Sequence, residues 1–129
     1  MVKLSQLIKR SPITIRSDAT IHDVIRIMAE ENIGFLVVTE GSEIAGVLSE
    51  RDVIKSLAEE KNLEKRVGSF CKRDIIKLNA DQTVEEAAQA MGKHRIRHIV
   101  VVDKDNKLVG VVSARDVLEE LYSPEASSD

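Results

Sequence analysis

The sequence predicts an α/β fold of the α+β kind, in which two pseudo-twofold-related β-α-β-β-α repeats pack sheet to sheet. Three observations predict it. Sliding the chain against itself by 63 positions matches Lys9-Arg10 with Lys72-Arg73, Ile13 with Ile76, Asp18 with Asp81, Thr20 with Thr83, Met28 with Met91 and Val37-Val38 with Val100-Val101. One inserted residue in the second hairpin loop moves the register to 64, where Gly46-Val47 matches Gly110-Val111 and Arg51-Asp52-Val53 matches Arg115-Asp116-Val117. Finally, two copies are too few for an open solenoid, so the apolar face of one copy must be buried against that of the other.

Each copy reads in the same order. Ile13-Thr14-Ile15 and Ile75 to Leu78 are short β-rich runs, with Pro12 biasing Ser11 toward an extended backbone. Thr20 and Thr83 then stand as helix N-caps, with Asp23 and Glu86 three residues on as capping-box partners. Ile21, Val24, Ile25, Met28 and Val84, Ala87, Ala88, Met91 fall at helical spacing and give each helix one apolar stripe, so the methionines belong to the core. Phe35 to Thr39 and Ile44 to Leu48, joined by Gly41-Ser42-Glu43, form a hairpin, as do Ile99 to Val102 and Leu108 to Val112 around Lys104 to Asn106. Their near-continuous apolar character implies cover on both faces. A last helix follows Ser49 or Ser113, with Val53, Ile54, Leu57, Ala58 or Val117, Leu118, Leu121 read as its inner face. The expected boundaries are repeat 1 at 1–62, repeat 2 at 63–122 and a flexible C-terminal tail at 123–129.

Composition narrows the function. With 129 residues and 43% hydrophobic content the chain builds one compact core, and a net charge of -3 lacks the basic field of an indiscriminate nucleic-acid binder. Phe35, Phe70 and Tyr122 are too few to stack single-stranded bases, so any bound base sits between aliphatic side chains. Cys71 stands alone and reads as a small hydrophobe rather than a disulfide partner or metal ligand. No metal site is expected. The opening residues lack the apolar region of a signal peptide, and no run approaches the roughly 18 apolar residues of a membrane span, so a cytoplasmic protein off the membrane is expected. There is no Walker-type loop and no nucleophile elbow, and His22, His94 and His98 have no metal-like spacing, so the chain is not read as an enzyme.

Gly-Val-Leu-Ser-Glu-Arg-Asp-Val at 46–53, Gly-Val-Val-Ser-Ala-Arg-Asp-Val at 110–117 and the strand Arg97 to Asp103 carry a family resemblance. Together with the duplication they resemble the tandem CBS (cystathionine β-synthase) domain pair, or Bateman module, over roughly residues 3 to 122. Leu36 and Ile99 stand where that family often has proline. The resemblance implies that Asp52 with Ser49, and Asp116 with Ser113, hold the ribose diol and phosphates of an adenosine-containing ligand. A carboxylate suits two adjacent hydroxyls, and helix-start amides suit phosphate. Ser-x-x-Asp is equally a capping pattern, and the sequence admits both roles. Arg51 and Arg115 fit a phosphate, a partner chain or plain solvation.

The basic cluster from Lys93 to His98 has no counterpart in the first copy, and similar modules nominate Arg97 and His98 for ligand phosphates; a solvated helix end is the other reading. The adenine slot falls to Thr14, Ile15, Lys77, Leu78, Val47 and Val111. The reading is thus a stand-alone regulatory module that binds AMP, ADP or ATP in the cleft between repeats, forms a disc-like homodimer and signals to an effector protein in trans. The alternatives are a ligand-free dimerisation module, or binding of S-adenosylmethionine, NAD or nucleic acid. The one-sided basic cluster predicts two clefts that are not equivalent.

Overall fold

The computed structural model describes residues 1–122, and the tail expected at 123–129 lies outside the described residues. The chain divides into two compact units, one formed by Ile13–Ile75 and the other by Met1–Pro12 with the chain from Ile76 onward. The first contains β1 (Thr14–Arg16), α1 (Ile21–Glu31), β2 (Phe35–Glu40), β3 (Glu43–Ser49) and α2 (Glu50–Glu59), then a single 3-10 turn at Val67–Ser69. The second opens with a 3-10 turn at Leu4–Leu7 and continues with β4 (Lys77–Asn79), α3 (Val84–His94), β5 (His98–Val102), β6 (Leu108–Ser113) and α4 (Ala114–Tyr122).

Each unit holds a three-stranded sheet, in the orders β1-β2-β3 and β4-β5-β6. The first pair of strands is parallel, with Ile15 opposite Val38 and Leu78 opposite Val101, because a helix carries the chain back between them. The second pair is an antiparallel hairpin, with Val37 opposite Val47 and Val100 opposite Val111. Gly41 (φ 61°) and Asn106 (φ 62°) supply the left-handed residue that each tight turn requires. Both leading strands start later than the apolar runs suggested. Ile13, Ile75 and Ile76 lie outside the ladders, since only Thr14–Arg16 and Lys77–Asn79 reach a partner strand.

The caps are as the sequence reads them. Thr20 Oγ1 accepts from the Asp23 amide at 3.2 Å, and Asp23 Oδ2 accepts from the Thr20 amide at 3.0 Å. Thr83 and Glu86 repeat the box. At the other ends Asn32 and Arg95 take the left-handed conformation, and their amides donate to Met28 O and Met91 O.

The first core gathers Ile15, Ile21, Val24, Leu36, Val38, Leu48, Val53, Val67 and Cys71. Burial pushes the Cys71 thiol above its ordinary value of 9.0, which keeps it protonated at neutral pH. Leu4, Val84, Ala87, Met91, Ile99, Val101, Val112 and Val117 form the second core. The inner faces assigned to the last helices need correction. Ile54 is 66% exposed and Leu118 55% exposed, because each lies one residue, about 100° of helical turn, beyond the buried Val53 or Val117.

Both units are completed by an arm that precedes a leading strand. In the first unit, residues 63–72 return to α1: the Ile21 and His22 amides, orphans of the first helical turn, donate to Lys65 O at 3.1 Å and Leu63 O at 3.0 Å. The arm then pairs with β3, where Lys72 N donates to Val47 O at 2.9 Å and Val47 N to Lys72 O at 2.8 Å. In the second unit the N-terminal residues do the same work. Val84 N donates to Val2 O at 3.0 Å, Leu4 is fully buried, and Ile8 packs over Gly110 as Cys71 packs over Gly46.

Gly46 must be glycine, since a Cβ there would lie 2.6 Å from Lys72 O and 2.9 Å from Cys71 Sγ, whereas a Cβ on Gly92, inside α3, would meet nothing within 4 Å. Gly46→Ala is therefore expected to destabilise the fold by about 1–3 kcal/mol through overpacking. Gly92→Ala is expected to stabilise it by roughly 0.5–1 kcal/mol through helix propensity. Urea midpoints of the two variants, compared at unchanged m-value, check the opposite signs.

The capping boxes generate a pH dependence. The Thr20 amide and then its hydroxyl hold the Asp23 carboxyl below 3.8, while the Gln82 side chain and then the Thr83 amide hold Glu86 below 4.5. Depressed carboxyl values mean stability that is present above those ordinary values and lost as pH falls through the lower, folded ones. The double variant Asp23→Asn/Glu86→Gln should lose less stability than wild type between about pH 5 and pH 3, read from urea midpoints across that range.

Candidate functional site

The two copies end their hairpins on a serine and turn at once into a helix. Ser49 is extended (φ -106°, ψ 163°) and its Oγ accepts from the Asp52 amide at 3.2 Å. Asp52 Oδ2 accepts in return from the Ser49 amide at 2.9 Å and from Ser49 Oγ at 3.0 Å. Across the other unit, Ser113 Oγ accepts from the Asp116 amide at 3.1 Å and Asp116 Oδ2 from the Ser113 amide at 2.9 Å. The capping role is thus real at both positions, and it uses one oxygen of each carboxylate.

The second oxygen separates the copies. Asp52 Oδ1 lies 3.6 Å from Lys72 Nζ, the side chains being 11% and 68% exposed. Lys72 is held there by its backbone pairing with Val47. Asp116 Oδ1 has no hydrogen-bond donor among the described residues, and Asp116 lines a cleft of about 520 Å³ together with Val2, Gln6, Leu7, Lys9, Glu119 and Glu120. That volume is in the range of small-molecule sites. Lys9, the repeat counterpart of Lys72, forms no ion pair among the described residues.

The hairpin registers bring further residues to the α4 start. His98 opens β5 directly opposite Ser113, and the Ala114 amide donates to Arg97 O at 2.7 Å, so Arg97, His98, Ser113 and Asp116 form one cluster. Their counterparts at α2 are Gly34, Phe35, Ser49 and Asp52, with Phe35 opposite Ser49 and the Glu50 amide donating to Gly34 O at 2.9 Å. The first cluster offers two basic side chains and an outward carboxylate oxygen. The second offers an aromatic ring and a carboxylate already paired.

The other sequence-derived residues fall as follows. Arg51 is exposed in the first turn of α2, while Arg115 Nε donates to Glu119 Oε1 at 3.2 Å. Thr14 is exposed on β1 and Ile15 points into the first core. Lys77 Nζ donates to Asn106 Oδ1 at 3.3 Å, and Leu78 packs against the second core. Val47 and Val111 are half-buried in their ladders. Sequence reasoning missed Lys9 and Lys72 as site residues. Their matched positions were the available signal, but they served only to set the repeat frame.

Comparison with known proteins places these features in context. The family model described as CBS domain matches twice, at residues 4–59 and 67–123. Inosine-5'-monophosphate dehydrogenase of Methanocaldococcus jannaschii is 29% identical over 128 residues, covering 98% of this chain. The chain spans only 25% of that enzyme's length. A CBS domain protein from Pyrobaculum aerophilum, solved in complex with AMP, is 32% identical, with a TM-score of 0.86 over 99% of this chain and 100% of that one. The CBS domain pair of protein MJ0100, in complex with 5'-methylthioadenosine and S-adenosyl-L-methionine, is 25% identical, with a TM-score of 0.86 over 97% and 98% of the two chains.

Proposed function

The chain belongs to the CBS domain family, and from that premise we propose that it is a non-catalytic regulatory module that binds an adenine nucleotide, AMP, ADP or ATP, at the start of α4. The observation that carries this reading is Asp116, whose Oδ1 has no hydrogen-bond donor among the described residues and which lines an open cleft with Lys9. Asp116 Oδ2 is committed to the Ser113 amide, which fixes the carboxylate, and Oδ1 is left to accept from a ribose hydroxyl. The α4 amides and Lys9, on a cleft that Glu119 and Glu120 also line, are the groups that a phosphate would meet. The AMP complex of the Pyrobaculum protein supports an adenine nucleotide over other anions. Occupancy acts on an effector protein in trans.

Homodimerisation belongs to the same reading. Ile54 and Leu118 occupy equivalent positions on α2 and α4, and both are exposed. A second copy of the chain is the proposed occupant of these side chains, since apolar groups at equivalent places suit a self-complementary contact. Ile54→Asp combined with Leu118→Asp should convert the dimer to a 14.3 kDa monomer in sedimentation equilibrium. A wild-type monomer would overturn this part.

The nucleotide reading is tested by thermal unfolding. A ligand at a hundredfold its Kd stabilises by about 2.7 kcal/mol, which raises Tm by roughly several degrees for a chain of this size. AMP, ADP or ATP is expected to give that shift and Asp116→Ala to abolish it, with S-adenosylmethionine and NAD as comparators. No shift with any adenine nucleotide, or a shift that Asp116→Ala leaves intact, rejects the assignment.

A further inference from the structure

The two helix starts carry different charges on the same backbone. The repeat register equates Gly34 with Arg97 and Glu50 with Ala114. In each copy the amide of the first helical residue donates to the carbonyl of the residue before the first strand of the hairpin, so the two residue pairs occupy matching places. At α2 the Glu50 carboxyl group lies directly over Gly34: a Cβ on Gly34 would meet Glu50 Cδ at 3.0 Å and Oε1 at 3.1 Å. The two residues are complementary, because glycine makes the room that the carboxylate fills. They also line a cleft of about 370 Å³ with Asn32 and Ile33. At α4 the carboxylate is replaced by a methyl group and the glycine by an exposed arginine.

The electrostatic consequence is a difference in sign. The first turn of α2 carries Glu50 and Asp52, whereas that of α4 carries Asp116 alone. A helix N-terminus offers roughly half a positive charge, which two carboxylates more than neutralise. Asp52 is further committed through Lys72. A phosphate approaching α2 meets the Glu50 carboxylate, where the α4 start has Ala114 and the exposed Arg97 at the matching places.

Resting on the nucleotide reading above, we propose that Glu50 is a specificity residue that keeps phosphorylated ligands off the α2 start, so that each chain binds one nucleoside phosphate, at α4. Glu50 is exposed and its side chain makes no hydrogen bond among the described residues, so its replacement leaves the fold's hydrogen bonding intact.

The test counts AMP bound per chain by equilibrium dialysis. Wild type is expected to bind one AMP, and Glu50→Ala and the charge-only variant Glu50→Gln two, the second site tightening by roughly tenfold, the size of one like-charge contact removed across a partly screened distance. Glu50→Ala/Asp116→Ala should return to one AMP, now bound at α2, with affinity that falls as salt is raised. Two equal sites in wild type, or one site in both Glu50 variants, overturns this inference alone. No AMP bound by wild type or either single variant overturns the nucleotide reading as well.

Discussion

The structure depends on the arm that precedes each leading strand. A helix laid across a three-stranded sheet leaves the amides of its first turn without partners, and unpaired buried amides are costly. Here the carbonyls of Leu63 and Lys65 serve α1, and Val2 serves α3. The same arms then run over the hairpins at Gly46 and Gly110, where only a residue without Cβ permits the approach. Because the arm of the second unit is the N-terminal segment, that unit is discontinuous in sequence, while Ile13–Ile75 is continuous. The arms also deliver Lys72 and Lys9 to the two helix starts. At α2 the scaffold and the candidate site therefore share one set of backbone hydrogen bonds.

Ser-x-x-Asp admits a cap or a ligand contact when read as sequence, and the geometry shows why the choice is unnecessary. A carboxylate has two oxygens. The capping box takes Oδ2, and in doing so locks the side chain so that Oδ1 points in a defined direction. A cap residue is in this sense already positioned for recognition, since the rotamer freedom that binding would otherwise remove is lost on folding. What the outer oxygen meets is decided by residues distant in sequence, Lys72 in one unit and the open cleft beside Lys9 in the other.

Features set by neighbouring residues were legible in the sequence. The duplication, the Thr20 and Thr83 capping boxes, the two hairpins and the order of elements all follow from local spacing, and each is present. Features set by long-range pairing were not. The leading strands begin at Thr14 and Lys77 because that is where a partner strand lies, not where the apolar run begins. Ile54 and Leu118 read as inner-face residues because helical periodicity gives the direction of a stripe but not its width, and only the packed structure shows that Val53 and Val117 are buried while Ile54 and Leu118 are exposed. The Lys72–Asp52 pair joins positions twenty residues apart through β3, and no local pattern announces it.

A duplicated chain inherits a common backbone plan, so a difference between its copies can enter through side chains at equivalent places. The two arms show how small that difference is. Cys71 is compact enough for the chain behind it to approach β3 and exchange two hydrogen bonds with Val47, and this draws Lys72 onto Asp52. At the same place the branched Ile8 fills the space over Gly110, and among the described residues no corresponding bridge joins Lys9 to Val111. Lys9 is therefore left lining the cleft with Asp116 rather than pairing with it. The outer carboxylate oxygen is thus paired with Lys72 in one unit and without a donor among the described residues in the other, and Gly34 and Glu50 stand where the second copy has Arg97 and Ala114.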